Sequence, residues 1–144
     1  MSRVLLIAAD KPLPLCYHHE IRTKTIEADG TSYTISLPRG FQVSEHTYYR
    51  DSVNSLNFPI KPYQYELDLE LNETDLHHLR AYLSENFSAG ETAELWNIWQ
   101  SHDFGRCPTH YAGRLEHFNM ETLEQFLQES QSGEPGQCWL TVTI

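Results

Sequence analysis

From Tyr63 to Leu71 the chain alternates without a break. Tyr63, Tyr65, Leu67, Leu69 and Leu71 take the odd positions, and Gln64, Glu66, Asp68 and Glu70 lie between them. A period of two is the signature of a half-buried strand with one apolar and one acidic face. Such a strand needs paired neighbours and a cover for its apolar side, so whatever follows must supply both. Asn72 is a good N-cap, with Glu73 and Asp75 in the first turn where the helix dipole favours anions. Leu76, Leu79, Leu83 and Phe87 then recur at helical spacing, and Gly90 ends the segment.

Glu94–Gln100 reads as a second strand, with a short helix as the alternative. Ser101–Thr109 reads as a loop and Tyr111–Phe118 as a third strand. Asn119 caps a second helix that carries Met120, Leu123, Phe126 and Leu127. Ser132-Gly133-Glu134-Pro135-Gly136 is a turn, and Cys138–Ile144 alternates again, with Cys138, Leu140, Val142 and Ile144 on one face. The order β-α-β-β-α-β over residues 63–144 predicts an α+β fold of ferredoxin-like sandwich type.

The N-terminal part adds smaller pieces. Val4–Ala9 is a continuous apolar run, as in a strand buried on both faces, and Pro12 and Pro14 end it. Thr23–Ala28 and Thr31–Leu37 flank Asp29-Gly30, which suits a type I′ hairpin turn. Ser44 is expected to cap a short helix bearing Tyr49, Val53 and Leu56, and Asn57–Pro62 reads as a loop. The expectation is one domain over residues 1–144. An N-terminal strand, hairpin and short helix (1–61) would pack on or extend the sheet of an acidic core (62–144).

Charge divides the chain. Residues 1–61 hold seven Lys/Arg against six Asp/Glu, whereas 62–144 hold three against fourteen, within a formal net charge of −10. So acidic a half repels phosphate backbones and steers basic partners toward it, so nucleic acid is not an expected partner. Nor is a membrane: no apolar run approaches the roughly 20 residues of a span, and Val4–Ala9 is too short for a signal-peptide core. Three widely spaced cysteines, Cys16, Cys107 and Cys138, suit free thiols in a reducing cytoplasm better than a disulfide framework.

In a sandwich with both helices on one face, the other face would carry Glu66, Asp68 and Glu70 from one strand and Trp139 from another. Trp96 and Trp99 differ in parity, so one of the two would join them. The result would be a platform of carboxylates and tryptophans for a basic protein partner or a second copy. The competing expectation is that residues 1–60 cover that face. Carboxylates about 7 Å apart along the strand could also hold a hard cation if loops added oxygens. The alternative is a small-molecule or metal-binding domain, or an enzyme, using Cys16, His18, Cys107 and His110, a soft ligand set whose spacing matches no standard zinc motif. No nucleophile elbow, zinc-protease motif, P-loop or dinucleotide fingerprint is present, and no cofactor is expected.

The segments VLLIAADKPLPL (4–15), YYRDSVNSLNFPIKPYQYELDLEL (48–71) and ELWNIW (94–99) resemble a family of small bacterial proteins of unknown function. The resemblance implies a bacterial, cytoplasmic protein and carries no activity or functional residues with it. The expectation at this point is a non-catalytic binding or regulatory protein.

Overall fold

A computed structural model describes residues 2–18, 20–100, 108–127 and 137–144. The expected loop around Ser101–Cys107 and the turn at 132–136 lie outside these residues. The elements are β1 (Ser2–Ala9), β2 (Cys16–Tyr17), β3 (Glu20–Ala28), β4 (Thr31–Arg39), β5 (Gln42–Glu45), α1 (Arg50–Asn54), β6 (Tyr63–Asp68), α2 (Glu73–Asn86), β7 (Thr92–Gln100), β8 (Thr109–Arg114), α3 (Met120–Phe126) and β9 (Cys138–Thr143). One turn of 3-10 helix at Leu115–His117 follows β8.

Seven strands form one mixed sheet in the order β2-β5-β6-β1-β7-β9-β8. The α+β class and the element order of 63–144 hold, but the strands are not interleaved in the ferredoxin-like way. β1 pairs antiparallel with both β6 and β7 and so splits the β6-α2-β7 unit from outside it. The β8-α3-β9 unit is not split at all, since β8 and β9 are direct parallel neighbours. The reason lies in Val4–Ala9: an apolar run buried on both faces is stable only at the centre of a sheet.

Both faces of the sheet are covered at its centre. On one side α2 and α3 lie over Leu5, Ile7, Leu67, Leu69, Leu95, Leu140 and Val142, contributing Leu76, Leu79, Leu83, Leu123 and Phe126. Asn72 caps α2 by accepting from the Asp75 backbone N–H at 2.7 Å, and Asn119 and Thr122 form a reciprocal capping box on α3. The last turn of α3 is tied to the sheet at the Phe126 carbonyl, which accepts from Asn97 Nδ2 at 2.8 Å and from Cys138 Sγ at 3.4 Å.

On the other side Val4, Leu6, Ala8, Trp96 and Ile98 are covered by Val53 of α1 and by Tyr49, Leu56, Phe58 and Ile60 around it. The expected cap of this helix is displaced. Ser44 sits in β5 opposite Glu66, and the N-cap position belongs to Tyr49, whose side chain makes no capping bond. The ladder to β6 supplies Ser44 with backbone partners that a helix start at that point would forgo. The third strand also ends earlier than its sequence pattern suggested, with Leu115–His117 turning away as 3-10 helix.

β3 and β4 form a separate two-stranded sheet, closed by Asp29 and Gly30 with φ of 53° and 73°, as a type I′ turn requires. This ribbon is not an independent unit. The pairs Cys16↔Val43 and Tyr17↔Gln42 of β2 and β5 lie in the same register as Glu20↔Arg39 through Ala28↔Thr31. The His18 N–H donates to the Phe41 carbonyl at 2.9 Å and carries the ladder across the junction. One long hairpin is therefore rooted in the edge of the large sheet and leaves it as an arm.

Candidate functional site

The expected platform is real as a row and false as an open surface. On the face away from α2 and α3, cross-strand pairing links Ser44 to Glu66, Glu66 to Leu6, Leu6 to Trp96, Trp96 to Trp139 and Trp139 to His110. Glu66, Trp96 and Trp139 thus share one line across six strands, and of the two tryptophans that differ in parity it is Trp96 that joins it. Its middle is sealed, however. Trp96 is fully buried, with the Phe58 ring stacked at 6.0 Å and the Trp139 ring at 4.6 Å. Residues 49–60 cover the centre, so the alternative expected for residues 1–60 prevails there.

Glu94 lies near this row, 6 % exposed; its Oε1 accepts from Trp96 Nε1 at 3.2 Å and from the Lys61 backbone N–H at 2.8 Å. The second bond pins the covering segment to the sheet. Trp99 takes the opposite face, half-buried beside α3, with the Arg3 guanidinium 5.8 Å from its ring centroid. It does not belong with the other two tryptophans.

The ends of the row are open. At one edge His110 is exposed and stacks on half-buried Trp139 at 3.8 Å, while its Nε2 lies 2.8 Å from Thr141 Oγ1. At the other, Glu66 is half-buried; burial, then repulsion from Asp68, raises its carboxyl above the usual range. Asp68 is exposed at the end of β6, in the row Tyr17↔Gln42↔Asp68 at the root of the arm. Glu70 lies beyond the strand, half-buried, and its backbone N–H donates to Asp75 Oδ2 at 2.7 Å. The acidic ladder therefore bends off the sheet after Asp68.

The Cys/His set is not brought together. Cys16 and His18 lie at the β2 edge and His110 at the β8 edge, six strand spacings or roughly 29 Å apart. Cys107 lies outside the described residues. His18 stacks instead on His78 of α2, with centroids 3.9 Å apart. Among the described residues no group of three His, Cys, Asp or Glu side chains is placed to hold a metal ion. Cys16 and Cys138 are free thiols, and burial raises both, Cys138 to about 11.

The hairpin signal was legible, but the projection of its distal part beyond the sheet was not. Each strand of the arm is nine residues long, so the arm extends about 30 Å. Its described side chains, 25–34, are all exposed. Near the tip, directly paired Ile26 and Tyr33 are 39 % and 55 % exposed, and Leu15 and Tyr17 are exposed at the root. No helix of the described residues is long and apolar enough to cross a membrane. No protein-family model, curated protein or solved structure matches the chain.

Proposed function

We propose that this chain is a non-catalytic binding or regulatory protein of a reducing bacterial cytoplasm, which engages a basic protein partner or a second copy of itself. The arm formed by β3 and β4 is the observation that carries the reading. A two-stranded ribbon whose described side chains, 25–34, all face solvent is marginally stable in water, and apolar cross-strand pairs such as Ile26–Tyr33 gain most when something covers them. The carboxylates expected from sequence meet the arm at its root, where Asp68 shares a row with Tyr17 and Gln42. A partner lying along the arm would then meet Glu66 and Asp68 at its base, within a half-chain that carries fourteen acidic residues against three basic ones.

Capture from lysate tests this with three baits: the wild type, an Ile26→Ser/Tyr33→Ser variant and a Glu66/Asp68/Glu70→Lys variant. Light scattering on each gives self-association. A basic protein, or a dimer, retained by the wild type and lost from both variants supports the reading. Identical behaviour of all three baits would overturn it.

A further inference from the structure

Between α1 and β6 lies a polar pocket of about 420 Å³ that no sequence pattern announced. It is built locally. β5 ends at Glu45, His46 turns inward, and the Arg50 N–H donates to the Thr47 carbonyl to start α1. Within α1, Val53 faces the sheet, while Arg50 and Asn54, four residues apart, share the side that lines the pocket. Gln64 of β6 forms the opposite wall, held there by its Nε2, which donates to the Lys61 carbonyl at 3.2 Å.

Two features of this pocket are unspent. His46 is only 5 % exposed, yet among the described residues neither ring nitrogen has a hydrogen-bond partner. A buried imidazole without partners is rare, because the group loses its water and gains nothing in return. Arg50, in a chain of net charge −10, makes no ion pair among the described residues, although Glu45 lines the same pocket. The residues that line it supply a guanidinium, the Asn54 amide, the Thr47 hydroxyl and an imidazole as donors. That set matches an oxyanion. A volume of this size admits a small organic molecule.

We propose that this pocket binds a small molecule through a carboxylate or phosphate oxyanion held by Arg50 and Asn54, with His46 as the buried hydrogen-bonding partner. Glu45 at the same site disfavours ligands of high negative charge and selects those with one anionic group. The role is independent of the arm, and a chain without any protein partner would still show it.

The test follows the His46 ring signals by NMR while inorganic phosphate or acetate is added to the full chain, with chloride at equal ionic strength as control. The expected result is a saturable shift with one or both probes, and affinity about tenfold weaker in Arg50→Ala, the loss of one charge-assisted contact. Asn54→Ala serves as a second variant, and both positions are exposed, so folding is checked simply by circular dichroism. A response to phosphate alone assigns a phosphate ester, and a response to acetate alone assigns a carboxylic acid. No saturable shift at about 50 mM of either probe, or equal affinity in wild type and both variants, overturns the proposal.

Discussion

Trp96 and Trp139 stack face to face across β7 and β9, with ring centroids 4.6 Å apart and planes within 7°. His110 and Phe58 extend the stack on either side, so four rings run from an exposed edge into the buried centre. Replacing Trp139, which is half-buried, by Ala removes the two stacks and much apolar area. The expected loss is about 2 kcal/mol, against about 4 kcal/mol for Trp96→Ala, read as shifts in the urea midpoint.

Glu94 holds the covering segment through one oxygen shared by Trp96 Nε1 and the Lys61 N–H. Glu94→Gln keeps a carbonyl oxygen at that position and is expected to cost under about 1 kcal/mol. Glu94→Ala leaves the buried Trp96 donor and the half-buried Lys61 N–H unpaired and is expected to cost about 3 kcal/mol. Equal losses in the two variants would show that the shared acceptor is not what matters.

His46 makes stability depend on pH. Its folded pKa lies below 6.5 because of burial first and Arg50 second. As pH falls through the unfolded value, the unfolded chain takes up a proton that the folded one refuses, so stability is lost on acidification. Glu66, whose folded pKa is raised, acts in the opposite sense. Replacing His46 by Leu removes two unpartnered nitrogens and is expected to gain about 1 kcal/mol near neutrality. The gain over wild type should widen from pH 7 toward pH 5 in urea titrations.

The Cys138 thiol is buried beneath α3 and pushed up to about 11. Thiolate is the reactive form, so iodoacetamide at pH 7.5 is expected to leave the Cys138 peptide unlabelled in folded protein and to label it fully in urea. Peptide mass mapping reads the result directly.

The arm is expected to open independently of the body. Gly30 has φ of 73°, and a β-branched residue there is strained. Gly30→Val should raise amide exchange within residues 20–39 while leaving the exchange of β1 and β7 unchanged.

Much of this fold was legible because its signals are local. The strand at 63–68, the stripe Leu76–Leu79–Leu83, the caps Asn72 and Asn119 and the turn at Asp29-Gly30 each depend on a few adjacent residues, and each is seen, although the alternation read as far as Leu71 leaves the sheet after Asp68. Strand neighbours are not local. The run Val4–Ala9 declared burial on both faces but not that it would separate β6 from β7. In the candidate site, parity put Glu66 and Trp139 on one face with either Trp96 or Trp99 and left that choice open, and exposure depended on what lay above them. Phe58 and Ile60 flank Pro59, with Pro62 two residues on, where a loop reading hid an apolar cover. His46 and Arg50 gave no pattern, since a pocket arises from elements that only the folded chain brings together.

The common register of the arm and its root constrains how such a protein can vary. A single inserted residue in either strand would turn over every side chain beyond it, exchanging the two faces of the arm. Only matched insertions of two residues in each strand preserve those faces. The reach of the arm is therefore quantised, and homologues that keep its function should differ in length by steps of about 7 Å.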